Sequence, residues 1–224
     1  MSEKSALIAG ATGLTGKELV KVLLDHPAYD KIRILVRRPL DIEHPKLEQV
    51  RVDFNRLDDY KEFFEVDEVF CCLGTTIKKA GSQKAFRRVD YEFPAALGVL
   101  AKSAGVQKFL VISAMGADSR SNIFYNRVKG QMEDRLKKLD IPALHIFRPS
   151  LLLGDRQEFR AGEKAASLLA TIFSPLLRGS MQKYKPIQAE QVARAMCVAA
   201  QSESVGVAVY LSDEIAEMGL SATL

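Results

Sequence analysis

Tyr125 and Lys129 stand four positions apart, and Ser113 lies twelve residues before the tyrosine. On a helix, residues i and i+4 share one face, so the phenol and the ammonium would point the same way. That pairing suits proton transfer at an oxygen. A free phenol has a pKa of about 10, too high for efficient acid–base work at neutral pH. A neighbouring ammonium favours the phenolate and is expected to lower that value. A serine beside them can donate a hydrogen bond to a substrate oxygen and polarise it. A Tyr-x-x-x-Lys pair alone is usually surface decoration. Ser113 ends an apolar run, and open α/β sheets place their ligands at the carboxyl ends of such strands. Reduction of a carbonyl, or the reverse oxidation of an alcohol, is the chemistry this trio fits.

A second cluster opens the chain. Residues 6–20 read Ala-Leu-Ile-Ala-Gly10-Ala11-Thr12-Gly13-Leu14-Thr15-Gly16-Lys-Glu-Leu-Val. An apolar strand feeds three glycines at three-residue spacing, and a helix follows. Gly10 permits the tight turn, Gly13 lets a diphosphate approach the backbone, and Gly16 lets the helix pack on the strand. The amides of Ala11, Thr12, Leu14 and Thr15 lie in the same turn, at the positive end of the helix dipole. The strand–turn–helix context makes the glycine spacing a dinucleotide signal. A P-loop register fails, because Ala11 stands where its first glycine belongs and Glu18 replaces the magnesium-binding hydroxyl.

Past the second apolar run come Arg37 and Arg38, where NAD-preferring sites carry an acid for the ribose 2′-hydroxyl. Guanidinium groups bind a 2′-phosphate through charge-assisted hydrogen bonds. NADP(H) is therefore expected over NAD(H). Asp53, after the third run, is a candidate contact for the adenine amino group. Gly74 and its neighbours, after the fourth run, form a natural cofactor wall.

The elements that must hold these residues follow from periodicity. Apolar runs at 6–9, 32–36, 50–53, 68–72, 108–113, 143–147 and 207–211 read as strands. Amphipathic stretches at 14–24, 94–104, 122–139, 162–173 and 188–201 read as helices. Strands with little alternation point to burial on both faces. The expected fold is α/β: one doubly wound, mainly parallel Rossmann sheet with helices on both faces. A single domain over 1–224 is expected, with a small C-terminal substrate-side or lid segment at about 148–187.

Composition narrows the classes. Of the 224 residues 47% are hydrophobic and 27% charged, and the net charge is +4. The charges are dispersed, so no nucleic-acid partner is expected. Cys71, Cys72 and Cys197 form no disulfide framework, and His26, His44 and His145 have no ligand spacing, so no metal is expected. No stretch reads as a signal peptide or membrane span, and a cytoplasmic protein is expected. Arg156, Glu158, Arg160 and Glu163 alternate in sign, fitting either an anion-binding edge or a salt-linked loop. A homodimer is compatible with this fold, whose helical faces often pair.

The glycine turn and the Ser113, Tyr125, Lys129 trio together resemble the short-chain dehydrogenase/reductase superfamily, in its atypical or extended branch. Further motifs narrow the likeness. These are Phe70-Cys71-Cys72-Leu73-Gly74-Thr75-Thr76, Ala80-Gly81, Arg88-Val89-Asp90-Tyr91 and the stretch from Phe147-Arg148-Pro149 to Gly154-Asp155-Arg156-Gln157-Glu158. They are similar to the Tat-interacting oxidoreductase family and its bacterial relatives. The resemblance implies that Cys72, Leu73, Gly74 and Thr75 line the adenine–ribose side of the cofactor. It implies that Lys129 also anchors the ribose, and that the Arg148-Pro149 loop touches the nicotinamide. Ser150 departs from the glycine that follows this proline in many relatives. The asparagine of the catalytic tetrad in other branches is not placed. The implied activity is NADP(H)-dependent oxidoreduction of a small carbonyl or alcohol. An NADPH-binding regulatory module with little turnover is the alternative, with a protein partner by analogy alone. An epimerase or dehydratase is disfavoured by the short stretch after Pro149.

Overall fold

The computed structural model describes residues 4–154 and 183–221. Seven strands form one sheet: β1 (Lys4–Ala9), β2 (Tyr29–Val36), β3 (Leu47–Arg51), β4 (Glu68–Cys71), β5 (Lys108–Ile112), β6 (Ala143–Arg148) and β9 (Gly206–Leu211). Their spatial order is β3-β2-β1-β4-β5-β6-β9. Every neighbouring pair is parallel. The order reverses between β1 and β4, and there a doubly wound sheet opens a crevice above its carboxyl edge.

Alternation along the central strands divides the core into two layers. Ala6 and Ile8 of β1 pack with Leu19, Val20 and Leu23 of α1 (Leu14–Asp25) and with Val192, Ala193 and Met196 of α6 (Ala189–Gln201). Leu7 and Ala9 face the other way. They pack with Leu97 and Ala101 of α4 (Phe93–Ser103) and with Met132 and Leu136 of α5 (Phe124–Lys137). Both faces are thus covered by helices, as the unbroken apolar runs require.

Several elements lie outside the sequence expectation. Residues Phe54–Phe64 form 3-10 turns with a kink, after the N-cap Asp53. Short helices α2 (Ile77–Ala80) and α3 (Gln83–Arg87) follow β4, and a π-helical turn (Arg88–Glu92) leads into α4. A terminal helix α7 (Ser212–Ser221) packs against α6. Two-residue strands β7 (Leu152–Leu153) and β8 (Ile187–Gln188) pair in parallel as a separate ladder. They flank much of the expected substrate-side segment. The helix expected at 162–173 and the cluster Arg156, Glu158, Arg160 and Glu163 lie outside the described residues.

Candidate active site at the carboxyl edge of the sheet

Gly10, Arg37, Cys72, Ser113 and Pro149 each follow closely on the carboxyl end of a strand of the main sheet. The glycine turn is built by packing at two of its three positions. Gly10 has φ +90°, and a Cβ there would lie 2.6 Å from the Cys72 carbonyl. A Cβ on Gly16 would lie 2.1 Å from the Gly10 oxygen. Gly13 differs: its nearest such contact is 3.2 Å, and φ is −76°. The protein's own packing tolerates a side chain there far better than at the other two, so its absence is better explained by something outside the chain.

Helix α1 starts at that glycine with no side-chain cap and no acidic residue in its first turn. The Thr15 hydroxyl is buried and makes no hydrogen bond among the described residues. An uncapped helix start and an orphaned donor beside a glycine turn fit a diphosphate. Arg37 and Arg38 are exposed just past β2. Asp53 is exposed past β3, where its carboxylate accepts from the Asn55 amide at 2.9 Å. Among the expected wall residues, the Cys72 amide donates to the Ala9 carbonyl and so fixes the β4 end beside the turn. The Thr75 amide donates to Asp90 at 3.0 Å.

Helix α5 presents Tyr125, Lys129 and Glu133 at successive fourth positions. The Lys129 ammonium is buried, 2.8 Å from the Asp90 carboxylate, and also donates to the Ile112 carbonyl at 3.3 Å. Asp90 is itself 1% exposed. Burial disfavours the ammonium, but Asp90 chiefly, with Tyr125, holds its pKa above the usual lysine value. Tyr125 lies against Phe86 with ring centroids 5.5 Å apart.

The expected lowering of the Tyr125 pKa is corrected. Burial raises it, Lys129 pulls it down, and Asp90 raises it again; the net direction is upward. The carboxylate next to Lys129 cancels much of the cation's field at the phenol.

Ser113 is buried, and its hydroxyl donates to Glu133 at 2.5 Å. Arg148 grips the same carboxylate with two donors, at 2.9 and 2.5 Å. An ionised carboxylate only accepts, so the serine's single proton is committed to Glu133 rather than to the cleft. Glu133 and Asp90 were not singled out as site residues. Glu133 lies eight residues past Tyr125 on the same face, and Asp90 stands in the Arg88-Val89-Asp90-Tyr91 motif; these were the available signals.

Ser113, Ala114, Met115, Tyr125, Pro149, Ser150 and Leu152 line one cavity of about 200 Å³. Three expected residues, Ser113, Tyr125 and Pro149, therefore meet there. Ser150 is held by the Lys185 carbonyl and by Ser212 of α7.

A sequence-family model described as NAD(P)H-binding matches residues 10–172. The chain belongs to this NAD(P)H-binding family. Within it, Protein HTATIP2 of Rattus norvegicus is 42% identical over 167 residues, covering 73% of this chain and 69% of that protein. Protein FMP52, mitochondrial, of Candida albicans is 31% identical over 222 residues, covering 96% of this chain and 94% of that protein. The resemblance to the Tat-interacting oxidoreductase family is thereby borne out. Among solved structures, the Bordetella bronchiseptica enzyme WbmH in complex with NAD+ superposes with a TM-score of 0.72 at 15% identity. That match covers 97% of this chain and 79% of the other. MoeE5 in complex with UDP-glucose and NAD gives 0.69 at 17% identity, covering 98% and 82%. These two likenesses establish the fold, a Rossmann-like α/β sheet. Among the described residues no helix is long and apolar enough to cross a membrane.

Proposed function

We propose that this NAD(P)H-binding protein is an NADP(H)-dependent oxidoreductase acting on a small carbonyl or alcohol. The observation that carries the reading is the meeting of Tyr125, Ser113 and Pro149 in one cavity past the sheet's carboxyl edge. The bound nicotinamide supplies hydride chemistry. Tyr125 gives its proton to the substrate oxygen, and Lys129 orients the phenol and reaches the cofactor ribose. Ser113 meets the substrate oxygen; to donate to it, its hydroxyl turns away from Glu133. The amides of residues 10–16, with the Thr15 hydroxyl, hold the diphosphate. Cys72, Leu73, Gly74 and Thr75 wall the adenine–ribose side, Asp53 takes the adenine amino group, and Pro149 backs the nicotinamide.

Arg37 and Arg38 support the NADP(H) preference, because two cations stand free in solvent past β2 where a 2′-phosphate would lie. The cavity's lining by Ala114, Met115, Pro149 and Leu152 beside Ser113, Tyr125 and Ser150 supports a substrate with an apolar part and one reacting oxygen. A cytoplasmic protein without nucleic-acid partners, in a fold compatible with a homodimer, completes the proposal; the FMP52 relatives are named mitochondrial.

The test is to incubate the protein with NADPH and a panel of small aldehydes and ketones and to follow nicotinamide absorbance. Loss of absorbance that disappears in Tyr125→Phe supports the reading; no loss across the panel overturns it. One observation favours a second reading, an NADPH-binding regulatory module with little turnover. The Ser113 proton is engaged by Glu133, away from any substrate. Tight NADPH binding without turnover, unchanged by Tyr125→Phe, would select it.

A further inference from the structure

Two charges are buried together beside the Tyr125 phenol. Lys129 is 3% exposed and Asp90 is 1% exposed, with 2.8 Å between them. Burying such a pair carries a desolvation cost of several kcal/mol for each ion, which a single contact repays only in good geometry. An apolar pair would satisfy packing alone. The arrangement therefore needs a reason beyond filling space.

Both Asp90 oxygens are placed. One faces the ammonium, and the other accepts the Thr75 amide at 3.0 Å. One carboxylate thus ties α5 to the loop after β4. Gly74 lies against the pair: a Cβ there would lie 3.6 Å from Asp90 and 4.0 Å from the Lys129 nitrogen. The ammonium pairs electrostatically with Asp90 and donates to the Ile112 carbonyl, which leaves it N–H capacity for a ribose hydroxyl.

The groups facing Tyr125 define its electrostatics. Lys129 comes from its own helix, and Asp90 from the turn before α4. Phe86 of α3 contributes a ring, and Ser113, past the end of β5, shares the cavity. Cys71 of β4 interacts electrostatically with Lys129. The phenol therefore has a neutral pair as its neighbour, rather than a lone cation.

We propose that Asp90 is a positioning residue that keeps Tyr125 a proton donor, by engaging the Lys129 ammonium in a buried ion pair and fastening both to the Thr75 loop. Resting on the oxidoreductase reading, this suits carbonyl reduction, the direction in which the phenol starts protonated. A protonated phenol is ready to give its proton as hydride reaches the carbonyl carbon. The phenolate left behind then recovers a proton from solvent.

The test reads the phenol directly. Tyr125 is titrated by carbon-13 NMR of ring-labelled tyrosine, with Tyr125→Phe assigning the signal. In the wild-type protein it should titrate above the free-phenol value of about 10. In Asp90→Asn the uncompensated ammonium should lower the midpoint and raise the phenolate fraction at a given pH by about tenfold. A wild-type midpoint below the free-phenol value overturns the proposal, and that result needs no variant to fold. An unmoved midpoint in Asp90→Asn with native circular dichroism also overturns it. Turnover separates the two claims. If the titration behaves as stated and no carbonyl consumes NADPH, the oxidoreductase reading fails and the control of Tyr125 stands. If carbonyls are reduced while the phenol ignores Asp90→Asn, only the Asp90 role fails.

Discussion

At the scale of single residues, the phenol does not act alone. Tyr125 shares a cavity with Ser113 and Pro149, and its proton affinity is set by a lysine and an aspartate that offset each other. Replacing it with phenylalanine should lower turnover of any accepted carbonyl by roughly 10²-fold or more, the usual share of a general acid. Binding of NADPH should change little, which titration calorimetry would check. Arg37 and Arg38 bear on cofactor choice in the same way. Converting both to glutamate should weaken NADPH binding by about tenfold or more, the loss of one charge-assisted contact, while NADH binding is nearly unchanged. Equal weakening of both cofactors would remove these two residues from the 2′-phosphate site.

At the scale of elements, the three glycines separate into different jobs. Gly10 and Gly16 answer to neighbouring backbone at 2.6 and 2.1 Å, whereas Gly13 has only a 3.2 Å contact. Gly16→Ala should therefore destabilise the protein by about 1–3 kcal/mol, as forced overpacking does. Gly13→Ala should cost less stability in urea unfolding than Gly16→Ala and weaken dinucleotide binding. If both variants behave alike, the distinction fails. This division was legible only in part. The spacing and the strand–turn–helix context disclosed the turn, but which glycine serves packing depends on the Cys72 carbonyl, sixty-two positions away in the chain. The same limit hid Glu133 and Asp90 as site residues. Nothing local to either marks a partner in Ser113 or Lys129, which only the folded sheet brings near. Elements followed a similar rule. Long periodic helices such as α1, α5 and α6 came out within a few residues. The 3-10 turns after Asp53, helices α2 and α3, and α7 did not, because four to eleven residues of mixed polarity carry too few periods to declare themselves.

At the scale of the whole molecule, the apolar runs disclosed every strand of the main sheet, most cleanly the central ones, because burial on both faces leaves few polar positions to blur the signal. The polar starts of β2 and β3 blurred the signal, and both strands were read three residues short there. One buried polar ring ties stability to pH. His145 of β6 is 1% exposed, stacks on Tyr210 of β9, and burial pushes its pKa down to about 4. A depressed folded-state value means that the unfolded chain binds the proton first. The stabilisation is present above the ordinary histidine value of about 6.5 and is lost as pH falls from there toward 4. The loss should be about 3 kcal/mol across that window. Urea unfolding at several pH values should show this slope, and His145→Gln should flatten it. A slope that persists unchanged in that variant would assign the acid sensitivity to other groups.

The regular fourfold spacing of Tyr125, Lys129 and Glu133 also sets which edits α5 can survive. Side chains on a helix advance by about 100° per residue, so one amino acid inserted between the first two would swing the phenol a quarter-circle or more away from its partners. Exchanges that keep the count can be absorbed locally, but a codon gained or lost within this stretch would misalign the whole row at once. Length, more than composition, is what this helix has least freedom to vary.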